Sequence, residues 1–285
     1  MKRKQALRKM KTDLQLRGLA PKTQKMYKKN IKVFFEFTGV SVKKLNENKA
    51  RDFILHLVNE KKLAAKTVNT YSAAIRFFFA VTLNRPMNYL QIPRMKTPNQ
   101  LPVIASREEI AKMIDSCENI KHKVMVLLAY GSGLRISEIS RLKSTDIKAD
   151  EMRLFVLGGK GKKDRYTLLP KQTLNTLRMY WKRYRPDNSE NWIFPSNSRE
   201  GHITTEGVSY AIESAALKSS INTHVTGHTL RHDFATHLLE DGVELIKIKE
   251  LMGHSSIKTT TIYLHLANTT ENVTSPADTL EQNNR

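Results

Sequence analysis

Apolar residues recur at helical spacing along nearly the whole chain, and that period gives way to alternation in one place. In "KTQKMYKKNIKVFFEFTG" Tyr27, Ile31, Phe34 and Phe35 share a face before Gly39. "NENKARDFILHLVNEK" follows Asn46, an N-cap residue, and carries Phe53, Ile54, Leu57 and Val58. "TVNTYSAAIRFFFAVTL" repeats the pattern with Val68, Tyr71, Ile75, Phe78 and Phe79. With residues 4–17 this predicts about four helices, a small bundle. The break comes at "MRLFVL" and "DRYTLL", two strand-like runs around the glycine-rich turn "GGKGKK". A chain with this pattern is expected to be mainly α with a small antiparallel β-sheet: an N-terminal helical bundle and a second, α+β domain.

Between the two parts, "RPMNYLQIPRMKTPNQLP" (85–102) holds four prolines and no period. The expected division is a helical domain at 1–90, a linker at 91–102, a second domain at 103–267 and a polar tail at 268–285. The second domain opens on Ser106 and Glu109, a capping box. Helices are expected at about 107–117, 120–130, 171–184, 205–218, 228–241, 243–252 and 257–266. A further helix should follow the turn in "GSGLRISEISRL".

Charge divides the chain the same way. The net formal charge is +21, and residues 1–100 supply +18 of it, with 23 Lys and Arg against 5 Asp and Glu. An excess confined to one domain-sized block points to a polyanion, with nucleic acid the favoured partner over an anionic membrane or a merely solvated face. The single cysteine, Cys117, excludes a disulfide framework and a Cys-type zinc site, and fits a reducing cytoplasm. The basic start lacks the apolar run of a signal peptide, and "KVMVLLAYGSGL" is too short to span a bilayer.

Several residues could carry chemistry. His228 and His232 in "HTLRH" are four apart, which is zinc-ligand spacing on a helix. Thr229 stands where a zinc hydrolase needs Glu, and Arg231 would repel a metal ion, so no metal is expected. A guanidinium suits a phosphate instead, neutralising charge as it grows on the non-bridging oxygens. Arg135 is a second candidate, near a helix start where backbone N–H groups also favour anions. "GGKGKKDR" is no nucleotide loop, lacking G-x-x-x-x-G-K-[ST], so ATP is not implied and no cofactor is expected. A hairpin lysine can protonate a leaving alkoxide, and Lys160, Lys162 and Lys163 are equally eligible on chemistry alone. Tyr263, in "GHSSIKTTTIY", could act as a nucleophile if flanking cations and a base activate it.

Together "GLRISEISRL", "GGKGKKDRYTLLP", "HTLRHDFATHLLEDG" and "LMGHSSIKTTTIYLH" resemble the motifs of the tyrosine recombinase (phage integrase) family, in its order and spacing. The resemblance is close over about 105–267 and looser over the front, as the family's SAM-like core-binding domain. It implies that Arg135 and Arg231 clamp the scissile phosphate and that Lys160 is the general acid for the 5′-oxygen. It further implies that His228 assists proton transfer with the nucleophile, that His254 donates to the phosphate and that Tyr263 is the nucleophile. His232 and His237 also match but read as structural, and Glu138 as a buttress of the arginine helix. The implied activity is metal- and ATP-independent strand exchange through a 3′-phosphotyrosine and a Holliday junction. The implied partners are double-stranded DNA with paired inverted-repeat core sites, further copies of the chain in a tetramer, and an accessory DNA-binding protein. A Xer-like or transposon-encoded resolvase is the expected subtype. The alternatives are a non-catalytic DNA-binding regulator and a type IB topoisomerase-like nicking-closing enzyme.

Overall fold

The computed structural model describes residues 1–87, 92–97, 101–158, 164–184, 190–196 and 201–267. The chain forms two compact units, Met1–Asn99 and Gln100–Arg285.

The front unit is built from α1 (Arg3–Leu16), α2 (Pro21–Thr38), α3 (Glu47–Asn59) and α4 (Ala65–Phe77). Ala6, Met10 and Leu14 recur every four residues along α1 and are fully buried. They meet Ile31, Phe34 and Phe35 of α2, Phe53 of α3 and Val68 and Ile75 of α4 in one core. Each large side chain so buried contributes ~1.5–3 kcal/mol. Pro21 starts α2 at a position where a missing N–H costs nothing, and Gly39 ends it at φ +64°. α4 widens into a π-helical turn, Phe78–Thr82, where the adjacent Phe78 and Phe79 both reach the core. The α2 lysines Lys25, Lys28, Lys29 and Lys32 face outward and, with Lys11, line a surface groove.

Part of the expected linker belongs to this unit. Ile92 joins the front core. The Met95 backbone and the Asn69 side chain exchange two hydrogen bonds of 2.9 and 3.0 Å. The polypeptide after α4 is thus held by polar side chains that no apolar period reveals.

In the rear unit α5 (Arg107–Asp115) opens on the expected capping box. Ser106 Oγ accepts from the Glu109 N–H at 3.2 Å, and Glu109 Oε2 accepts from the Ser106 N–H at 3.0 Å. α6 (Ile120–Gly131) buries every residue from Val124 to Ala129. It is the central helix, packed by α8 (Lys171–Tyr184), α9 (Thr205–Lys218) and α10 (Gly227–Glu240). A short α7 (Ile136–Ser140) precedes an antiparallel meander of β1 (Ile147–Lys148), β2 (Arg153–Val156) and β3 (Arg165–Leu168). Arg153 pairs with Leu168 and Val156 with Arg165, so β2 and β3 form the expected hairpin. Strand β1 has two residues, too few for alternation to show. α11 (Leu245–Met252) follows α10. The last expected helix, 257–266, is instead two 3₁₀ turns, Ile257–Thr259 and Thr261–His265. Three successive threonines stand there, and β-branched residues weaken a regular α-helix. Among the described residues no helix is long and apolar enough to cross a membrane.

Candidate active site

Four separate segments of the rear unit meet around one buried carboxylate. Arg135 caps α7 from extended backbone (φ −73°, ψ 151°), and the Glu138 side chain folds back onto it. Glu138 Oε2 accepts from the Arg135 N–H at 2.8 Å, and Oε1 accepts from Arg135 Nη1 at 2.7 Å. From β3 a second guanidinium arrives: Arg165 Nη1 and Nη2 donate to the same two oxygens at 2.9 and 2.8 Å. Burial alone would raise the Glu138 carboxyl. The hydrogen bonds and charge of Arg165, the Arg135 N–H and the charge of Arg231 outweigh that and hold it at about 2.

Arg231 comes from α10 and is 4% exposed. It donates to the carbonyls of Gly133 and Met252, and its Nη1 stands 3.8 Å from Glu138 Oε2. Burial, then the neighbouring Arg135, pushes its guanidinium down to about 9, so it remains charged at neutral pH. The approach of α10 to the loop before Arg135 needs Gly133. Its φ is +61°, and a Cβ there would lie 2.4 Å from the Phe234 ring. Gly253 ends α11 at φ +61°, and a Cβ on it would lie 2.7 Å from Arg165 Cδ.

His254 follows that cap. Its Nδ1 is 2.9 Å from Thr260 Oγ1, and its ring stacks on Tyr263 at 6.4 Å between centroids. Burial, then Arg231 and Arg135, push its imidazole down to about 4. Tyr263 is 1% exposed, packed in a small core with Phe234, Ile248, Leu251 and Met252. Burial pushes its phenol up to about 12, against the pull of Arg231 and Arg135. Its hydroxyl shares a hydrogen bond of 3.0 Å with His232 Nδ1. Burial, then His228 and Arg231, push His232 down to about 4, so phenol and imidazole are both neutral at pH 7.

The structure therefore gathers Arg135, Arg231, His254 and Tyr263. His228 lies one turn before His232 on α10, exposed at the surface. Lys160, with Lys162 and Lys163, lies outside the described residues. Two further side chains belong to this place beyond those the motifs imply: Arg165, bonded to Glu138, and His232, whose position suits packing yet which bonds the Tyr263 hydroxyl. Arg165 sits in the quoted hairpin motif, and nothing in its local pattern marks it as buried. Among the described residues no group of three or more His, Cys, Asp or Glu could hold a metal ion.

Comparison with known proteins finds a family match within each unit. Residues 105–270 match the phage integrase family, and residues 7–89 match the phage integrase N-terminal SAM-like domain. The chain is 40% identical over 262 residues to a Sinorhizobium fredii protein provisionally named integrase/recombinase y4qK, covering 90% of this chain and 83% of that one. It is 34% identical to tyrosine recombinase XerA of Thermococcus kodakarensis, over 91% of this chain and 90% of that one. A solved lambda integrase dimer bound to a COC′ core site has the same fold, with a TM-score of 0.72 at 18% identity, over 96% of this chain and 98% of that one.

Proposed function

Because the chain belongs to the phage integrase family, the tyrosine recombinases, we propose that it exchanges DNA strands at paired inverted-repeat core sites through a 3′-phosphotyrosine. One observation carries the reading: two arginines, a histidine and a tyrosine from separate segments converge on a single cluster in the rear unit. Arg135 and Arg231 are the phosphate clamp. Arg231 stays cationic at neutral pH, and guanidinium forks fit the non-bridging oxygens. His254 adds a donor beside them.

In the cleavage step Tyr263 Oη bonds to phosphorus while the bond from phosphorus to the 5′-oxygen breaks. The phenol proton passes toward His228, and Lys160 protonates the departing 5′-oxygen. The 5′-hydroxyl of a partner duplex then attacks the phosphotyrosine, and Tyr263 leaves with a proton restored. One phosphodiester is exchanged for another, so the cycle needs neither ATP nor a metal ion. Buried and held by His232, Tyr263 in this structure is at rest. Attack requires the Tyr263 hydroxyl to leave His232 for the phosphate that the arginines hold. The +18 front, with its lysine groove on α2, supplies the non-specific hold on the phosphate backbone. Four copies acting on two synapsed duplexes complete the proposal.

A nicking-closing enzyme would share the phosphotyrosine chemistry. Supercoiled plasmids carrying two copies of the site that this protein selects from random duplex DNA separate the two. Strand exchange yields recombinant joint products, and relaxation without them would refute it.

A further inference from the structure

We propose that Arg165 is a positioning residue for the phosphate clamp: by occupying both oxygens of Glu138, it keeps that carboxylate from capturing Arg231. The inference rests on the recombinase reading above and adds a residue to the same site.

A carboxylate offers about four lone-pair sites. On Glu138 all four are taken, two by the Arg165 guanidinium and two by the side chain and backbone of Arg135. Arg231 Nη1 is left 3.8 Å from Oε2 and bonds the Gly133 and Met252 carbonyls instead. Without Arg165 two lone pairs would open beside it. A charge-assisted bond to a carboxylate is stronger than a bond to a neutral carbonyl. Arg231 would therefore turn onto Glu138, spending on the protein the charge meant for the phosphate.

Arg165 is built into the protein. Its side chain is 6% exposed, and three of its donors are already used. The third, Nε, bonds the Leu251 carbonyl at 2.8 Å. One planar group thus joins β3 to α7, which carries the Arg135 cap, and to the end of α11, which holds the Arg231 acceptor and leads to His254. Gly253 keeps the space open for it. A lysine, with one compact ammonium, cannot span both carboxylate oxygens and the carbonyl at once.

The experiment uses the full chain and a nicked duplex bearing the site it selects from random DNA. DNA affinity, single-turnover cleavage and melting are measured for wild type, Arg165→Met, Arg165→Lys, Glu138→Gln and Glu138→Gln/Arg165→Met. Arg165→Met should bind DNA nearly as well as wild type yet cleave about 100-fold more slowly, the scale of losing one aligned charge donor. Arg165→Lys should restore little of the rate. In the Glu138→Gln background no carboxylate remains to capture the clamp, so Arg165→Met should change cleavage less than about 3-fold; such non-additivity marks groups acting through one another. That comparison stands even if the single variant folds poorly. Wild type that forms no adduct overturns the recombinase reading and this role with it. Wild type that cleaves, while Arg165→Met costs the same factor in both backgrounds or tracks only the folded fraction, overturns the role alone.

Discussion

Gly133→Ala should damage stability and the clamp together. At φ +61° a side chain adds about 1–2 kcal/mol of backbone strain. The new methyl would stand 2.4, 2.6 and 3.1 Å from three Phe234 ring atoms, where carbon atoms settle at about 3.5–4.0 Å. The ring must retreat by roughly 1 Å into a core it shares with Ile248, Leu251, Met252 and Tyr263. Overpacking of that kind costs about 1–3 kcal/mol. The sum, about 2–5 kcal/mol, corresponds to a melting point lower by roughly 5–15 °C for a unit of this size. Differential scanning calorimetry of the full chain reads it. Adding Phe234→Leu should recover the overpacking share and leave the backbone share, so the double variant is more stable than the sum of singles predicts. Because Gly133 also supplies the carbonyl that holds Arg231, cleavage should fall further than stability alone explains. A melting point within a degree of wild type, or strictly additive costs with Phe234→Leu, would refute the reasoning.

Three more outcomes are expected. His232→Phe leaves a buried phenol without its partner and should cost about 1–3 kcal/mol, most of it recovered by adding Tyr263→Phe, as denaturant melts would show. His232 and His254, held at about 4, take up protons on unfolding at the ordinary value of 6.5, so their contribution is full above pH 6.5 and is lost as pH falls toward 4. Asp233, fully buried and pushed up to about 7, is protonated in the fold and opposes them in the same window; across it His232→Asn should flatten the dependence of stability on pH and Asp233→Asn should steepen it. Replacing Lys25, Lys29 and Lys32 with Ala should weaken binding to all duplex sequences alike and flatten the log–log salt dependence by about 0.9 per lysine that meets a phosphate.

Much of this architecture was legible because helices record their buried faces every three or four residues. Phe34, Phe53 and Ile75 announced the front core, and the strand-like runs "MRLFVL" and "DRYTLL" announced the hairpin. The gathering of Arg135, Arg231, His254 and Tyr263 was legible only through motif order, since no local rule connects residues a hundred positions apart. What escaped were contacts made across the fold. Arg165 looks like any charged hairpin residue until β3 carries it beneath α7. His232 sits at a helix position that suits packing, and only the return of the chain at Tyr263 gives it a polar partner. The two-residue β1 failed to show because it is too short to develop a period, and the helix expected at 257–266 tightens into 3₁₀ turns where three threonines stand in succession.

The most direct test of the central claim is covalent trapping on a nicked suicide substrate in EDTA, built on the site this protein selects from random duplex DNA. Wild type should accumulate a protein–DNA adduct linked through Tyr263, and Tyr263→Phe, which binds the same duplex, should form none. An adduct that persists in Tyr263→Phe, or one that appears only when a divalent metal is restored, would contradict the account.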